Sequence, residues 1–193
     1  VGIFEMKNNG LVEVSNPSRI FLSERPKDSS GSVVTAAIEG TRPLLVEIQA
    51  LSSFTKMPYP ARKTTGVDYN RTSIVIAVLE KQLGLNLSTQ DVYVNAAGGV
   101  RVQEPAIDLP IAVAIASSFK NKQVDHEVAV VGEVGLAGEV RSVSQIEQRV
   151  NEAAKLGFKQ ILIPKTNAEE ISKPKIEVVG ISSVKEALMK VLG

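Results

Sequence analysis

Arg62, Lys63 and Arg71 fall within ten residues of one another, beside a loop marked by Pro58 and Pro60 and at the start of a helical pattern. Arginine forks match phosphate oxygens, and a helix N-terminus adds backbone N–H donors, so this grouping suits contact with a phosphate backbone. Arg101 and Arg141, on predicted hairpins, are further candidates for the same surface. The competing reading is that each of the five is an ordinary solvated charge. The formal net charge of the 193 residues is +1, so the surface as a whole cannot attract a polyanion and any affinity for DNA must come from a local cluster.

Other chemistries have less to work with. There is no cysteine, hence no disulfide, thiolate nucleophile or Cys-based zinc site. The single histidine, His126, lies in the polar stretch 121–127 and is expected to be a solvated loop residue, because metal sites usually recruit several ligands. Neither a P-loop nor a G-x-G-x-x-G fingerprint occurs. Gly132, Gly135 and Gly138 sit in a strand–turn–strand context and are expected to form tight turns, so the chain itself is not expected to bind ATP. No apolar run reaches the ~18 residues of a membrane span. The apolar start, Val1 to Phe4, meets Glu5 and Lys7 at once, unlike a signal peptide, and a cytoplasmic protein is the simplest expectation. A chain that opens on Val reads as a piece of something longer.

The elements that must position these residues follow from pattern. Residues 1–28 read as a hairpin, with a turn at Asn8-Asn9-Gly10, then a short helical turn from Asn16-Pro17-Ser18 and a polar linker. Strands are predicted at Ser32–Glu39 and Leu44–Ala50. Asn70 is the expected N-cap of a helix through Leu83, with Ile74, Ala77, Val78 and Lys81 on one face and Gly84 as its stop. Asp91–Asn95 and Val100–Val102 flank Gly98-Gly99, a hairpin signal. Asp108 could cap a small-residue helix over 109–119, with Pro110 tolerated in its first turn. Glu127–Val134 and Glu139–Val143 read as paired strands. Ser144-x-x-Glu147, Thr166-x-x-Glu169 and Ser183-x-x-Glu186 each fit a capping box. The first opens a helix with Ile146, Val150, Ala153 and Ala154 on one face, and Gln160–Pro164 is a buried strand. Hairpins followed by alternating helices and strands give a mixed α/β (α+β) domain.

Several ordered strings carry a resemblance. Val131-Gly-Glu-Val-Gly-Leu-Ala-Gly-Glu-Val140, Ala153-Ala154 and Gly157-Phe-Lys-Gln-Ile-Leu-Ile-Pro164 resemble the C-terminal half of a Lon-type protease domain. Pro60-Ala-Arg-Lys63, Gly66-Val-Asp-Tyr-Asn-Arg71, Ala77-Val-Leu-Glu-Lys81, Asn95-Ala-Ala-Gly-Gly99 and Glu104-Pro-Ala-Ile-Asp-Leu109 resemble more closely the C-terminal, Lon-like domain of the RadA (Sms) family of bacterial DNA repair proteins. The resemblance implies a Lon protease-like fold of the ribosomal protein S5 domain 2-like type over 29–193. It implies that 1–28 are the tail and linker of a preceding RecA-like ATPase core.

The Lon nucleophile is a serine opening a helix. The matching stretch here is Pro105-Ala-Ile-Asp-Leu-Pro-Ile-Ala112, which puts Pro110 or Asp108 at the serine position, depending on the anchor. Neither side chain has a hydroxyl or thiol. Ser117 and Ser118 lie about two turns further on. The lysine base falls on Arg149, whose guanidinium stays protonated. Lys155 is six residues on, about 240° around the helix at ~100° per residue.

The resemblance therefore implies a non-proteolytic domain that serves ring assembly, as a homo-hexamer, and DNA binding, within an ATP-dependent helicase family acting in DNA recombination and branch migration. DNA, single-stranded or branched, and a recombinase are the implied partners. Zinc and ATP/Mg sites are expected only in domains outside this chain. Two alternatives remain open at this point: an ATP-dependent Ser–Lys peptidase domain, disfavoured by Asp108, Pro110 and Arg149, and a pure oligomerisation scaffold, separable by salt-dependent DNA binding.

Overall fold

The computed structural model describes residues 4–7, 10–13, 17–26 and 28–193. The centre is a seven-stranded sheet built from β3 (Ser32–Glu39), β4 (Arg42–Phe54), β5 (Arg62–Thr65), β6 (Gln90–Ala96), β7 (Val128–Val130), β10 (Gln160–Pro164) and β11 (Glu177–Ile181), in the order β11-β10-β7-β3-β4-β6-β5. The β3–β4 and β4–β6 pairs are antiparallel; the other four are parallel. The molecule is thus a mixed α/β fold on a mostly parallel sheet.

Before it, β1 (Phe4–Lys7) pairs antiparallel with β2 (Gly10–Glu13), and α1 (Pro17–Leu22) follows. The predicted hairpin exists, while its tip residues Asn8 and Asn9, its outer residues Val1–Ile3 and Val14, and the expected helix-start residue Asn16 lie outside the described residues. Met6 and Leu11 are exposed.

Strand alternation divides the core into two layers. On one face Val33, Val46, Ile48, Val92 and Val94 pack against α2 (Tyr69–Leu83), α3 (Asp108–Lys120) and α6 (Val184–Leu192). On the other, Val34, Ala36, Leu45, Ile161 and Ile163 pack against α4 (Ile146–Lys155) and α5 (Lys165–Glu170). α1 also lies on this second face, where the Leu45 N–H donates to Ser18 Oγ at 3.0 Å. These elements cover the β3 side of that face; Leu51 and Tyr93 further along remain exposed.

Several local expectations give way to tertiary structure. Asp68, not Asn70, caps α2, its side chain accepting from the Arg71 N–H at 2.8 Å. The buried stripe of α2 is Thr72, Val75, Ile76, Val78 and Leu79; Ile74 and Ala77 of the expected face are exposed. Gly84 ends the helix in the left-handed region at φ 69°, as anticipated. No strand forms at 100–102: β6 runs into a 3-10 turn at Ala97–Gly99, and Val102 makes only an isolated parallel bridge with Val67. The expected long strand from Glu127 breaks after Val130, and a separate small hairpin joins β8 (Glu133–Val134) to β9 (Val140–Arg141). Of the three capping boxes only Ser183 caps, accepting from the Glu186 N–H at 3.2 Å, while Glu186 Oε2 accepts from Ser182 N–H. α4 and α5 start on Gln145 and Pro164 without a side-chain cap.

Candidate functional site

Asp108 opens α3 from behind a 3-10 turn at Pro105–Ile107, and its side chain is spent on a tertiary pair, not on capping. Arg71, in the first turn of α2, donates Nε to Asp108 Oδ1 at 2.9 Å and Nη2 to Oδ2 at 2.5 Å. The Val134 N–H donates to the same Oδ2 at 3.3 Å. Burial pushes the Asp108 carboxyl above its ordinary value, against the opposing pull of Arg71 and Val134. The hydrogen bonds to Asp108 push the Arg71 guanidinium up. The fork geometry is that of an ionised carboxylate on a guanidinium, and that pairing joins the starts of α2 and α3 to the β8 hairpin. Pro110 is buried in the first turn of α3.

Arg149 lies inside the protein. It has no exposed surface, yet each of its three guanidinium nitrogens has an acceptor. Nε donates to Ser144 O at 2.9 Å, and Nη1 to Ala36 O at 2.6 Å and Glu104 Oε1 at 2.9 Å. Nη2 donates to Glu104 Oε2 at 2.6 Å. Glu104 Oε1 also accepts from the Ile38 N–H at 2.7 Å. This pair ties α4, β3 and the segment before α3 together. Glu104 is the residue the sequence reading missed: it lies 45 positions from Arg149, and no spacing rule connects them. Ser117 is fully buried, accepting from the Gly31 N–H, and Ser118 Oγ accepts from Ser52 N–H, so both are engaged in the scaffold. Lys155 is exposed, 3.9 Å from Glu152.

The five basic candidates do not form one cluster. Arg62 and Lys63 are neighbours in β5, so their side chains leave opposite faces of the sheet. Arg62 turns to the helical side and donates to the carbonyls of Ala61, Leu87 and Gln90. Arg71 is on that side as well, bound to Asp108. Arg141 is exposed but paired with Glu139 at 2.7 Å, and its hydrogen bond holds the Glu139 carboxyl below the ordinary range. Lys63 and Arg101 are exposed and have no hydrogen-bond or ion-pair partner among the described residues. The two line separate cavities that meet at Thr65 of edge strand β5. Thr65 lines both a cavity of about 330 Å³ with Lys63 and Tyr93, and one of about 500 Å³ with Arg101, Gly66 and Gly99. Gly66 is required here: its φ is +74°, and a Cβ would stand 2.4 Å from Val100 O. His126 is exposed beside Asp125, in keeping with a solvated loop residue. Among the described residues no helix is long and apolar enough to cross a membrane, and no group of three His, Cys, Asp or Glu is placed to hold a metal ion.

Residues 57–167, more than half of the chain, match the family model described as subunit ChlI of Mg-chelatase. Proteins named DNA repair protein RadA are similar over essentially the whole chain. The one from Halalkalibacterium halodurans is 58% identical and that from Bacillus subtilis 57%, each over 100% of this chain and 42% of the relative. The Streptococcus pneumoniae protein is 53% identical over 99% of this chain and 46% of its own length. The chain thus spans less than half the length of these relatives. It belongs to the family described as subunit ChlI of Mg-chelatase, and over its whole length it is a homologue of the C-terminal part of the proteins named DNA repair protein RadA.

Proposed function

We propose that this chain is the non-proteolytic, Lon-like DNA-binding and ring-forming platform of a DNA repair ATPase. The observation that carries the reading is the 52–58% identity, across the whole chain, to proteins named for DNA repair. Within it, 29–193 form the Lon-like domain and 1–28 the tail of the preceding ATPase core. ATP, magnesium and zinc belong to the part of the protein outside this chain. Lys63 and Arg101, exposed and unneutralised, supply phosphate contact. Arg62, Arg71 and Arg141 are each already bonded within the protein, Arg71 and Arg141 to a carboxylate, and would have to exchange those bonds to join that contact. In a homo-hexameric ring the patch recurs once per subunit, and weak contacts sum by multivalency. Backbone contacts carry little base information, so binding is largely independent of sequence. Branch migration of recombination intermediates, with a recombinase as partner, is the activity this platform would serve in the complete protein.

Two observations weigh against a peptidase. Asp108 lacks a nucleophilic hydroxyl and is locked to Arg71, and Arg149 is fully buried against Glu104. A side chain so placed neither reaches a substrate nor gives up a proton.

A fluorescence-anisotropy titration of the chain with a labelled oligonucleotide tests the reading. Tight binding at low salt that weakens steeply as salt rises is the expected result. No binding at low salt would leave only the scaffold alternative. Sedimentation equilibrium of the same sample should report a mass of six chains; a strict monomer at high concentration would place ring formation in the ATPase core.

A further inference from the structure

The half of the sheet that no helix covers has a composition of its own. On the face opposite α2 and α3, β4 presents Gln49, Leu51 and Ser53, β6 presents Asp91, Tyr93 and Asn95, and β5 presents Lys63 and Thr65. Register fixes their arrangement: Tyr93 stands opposite Leu51 on one side and Lys63 on the other, and Asn95 stands opposite Gln49 and Thr65. Leu51 is 59% and Tyr93 37% exposed. The Asn95 amide donates to Gln49 Oε1 at 3.3 Å, so two side-chain amides lie side by side next to the ring. The β4–β5 connection that borders this face carries Met57 and Tyr59, the latter 90% exposed. From Leu51 to Val67 the chain has three basic residues, Lys56, Arg62 and Lys63, and no acidic one. Asp91, the one acid on the face, is held by the Ala61 N–H at 2.7 Å.

We infer that this open face is a stacking platform for the unpaired bases of a single-stranded nucleic acid, with Tyr93 at its centre. An exposed aromatic ring on a sheet offers a flat apolar surface to a base, a contact available to every base because each has a π-face. Leu51 extends that surface. The Gln49 and Asn95 amides lie where base edges pass and can donate or accept. Lys63 takes the phosphate, and Thr65, which lines both cavities, leads from this face to the one lined by Arg101. A duplex, whose bases are stacked on one another, cannot use the ring; a single strand can. The inference rests on the DNA-contact reading above and adds to it the surface that receives unpaired bases and the residue at its centre.

The chain has three tyrosines and no tryptophan to mask them, so the difference between the parent and Tyr93→Phe isolates the emission of Tyr93. Oligothymidylate should quench the emission of the 193-residue chain, and Tyr93→Phe, which keeps the stack but removes the emitter, should lose most of that quench. Tyr93→Ala should lower the ratio of single-strand to duplex affinity about tenfold, the effect of one lost base–aromatic stack. An unchanged ratio in Tyr93→Ala, with DNA still bound, overturns the platform and leaves phosphate contact through Lys63 and Arg101 standing. If Tyr93→Ala does not fold, the quench decides: an undiminished quench in Tyr93→Phe overturns the platform. If the parent chain binds neither form of DNA, both readings fall, and the face is left to a protein partner or a second copy.

Discussion

A guanidinium removed from water needs acceptors for its nitrogens and a balancing charge, and Arg149 has both only because Glu104 faces it. Glu104→Ala strands that charge in the core and should destabilise the fold by about 3–5 kcal/mol, read from urea unfolding. A loss below about 1 kcal/mol would mean that the pair is not a structural clasp. Arg71 is placed differently, about one-third exposed, and can turn to water when its partner goes. Asp108→Ser, which restores a hydroxyl at one candidate nucleophile position, should therefore cost only about 1–3 kcal/mol. It should also leave an unfolded protein substrate uncut, since no base stands beside it; cleavage above the blank would contradict the non-proteolytic reading. The resemblance made Asp108 and Arg149 conspicuous, because Asp108 or Pro110 stood where a serine was expected and Arg149 where a lysine was. The sequence could not supply their partners, because ion pairs between residues 37 and 45 positions apart leave no local pattern.

At the scale of elements, period and punctuation were legible where burial enforces them and misleading where it does not. Ser32–Glu39 and Gln160–Pro164 were readable as strands because both are buried nearly throughout. The three capping boxes looked alike, yet only Ser183 meets its amide; Gln145, in the left-handed region at φ 56°, begins α4 instead. Ser183→Ala should cost about 1 kcal/mol in thermal or urea unfolding, against changes within about 0.5 kcal/mol for Ser144→Ala and Thr166→Ala. Equal losses at all three would contradict this assignment of caps. The Gly98-Gly99 pair signalled a two-stranded hairpin, but Val102 bridges to Val67, so the chain turns away from β6 into the segment before α3. The split of Arg62 from Lys63 follows from the period of a strand, and it was hidden because the flanking prolines made residues 58–63 read as loop. The same alternation, Asp91, Tyr93 and Asn95 against Val92, Val94 and Ala96, is visible in the sequence. What the sequence could not tell is that no helix returns to cover the first set.

For the molecule as a whole, a sheet with one fully covered face and one half-open face leaves a surface with a basic border on a chain of nearly neutral net charge. Affinity for DNA then depends on a few groups, and the salt dependence counts them. The Lys63→Ala, Arg101→Ala double variant isolates those groups, because both side chains are exposed and neither is bonded to the protein, so the fold should be unaffected to within about 0.5 kcal/mol. The most direct test of DNA contact at this surface is the slope of log affinity against log salt for the parent chain and this variant. The account predicts weaker binding at low salt and a slope shallower by about one unit for each lost contact. Binding as tight as the parent's, with an unchanged slope, would contradict it.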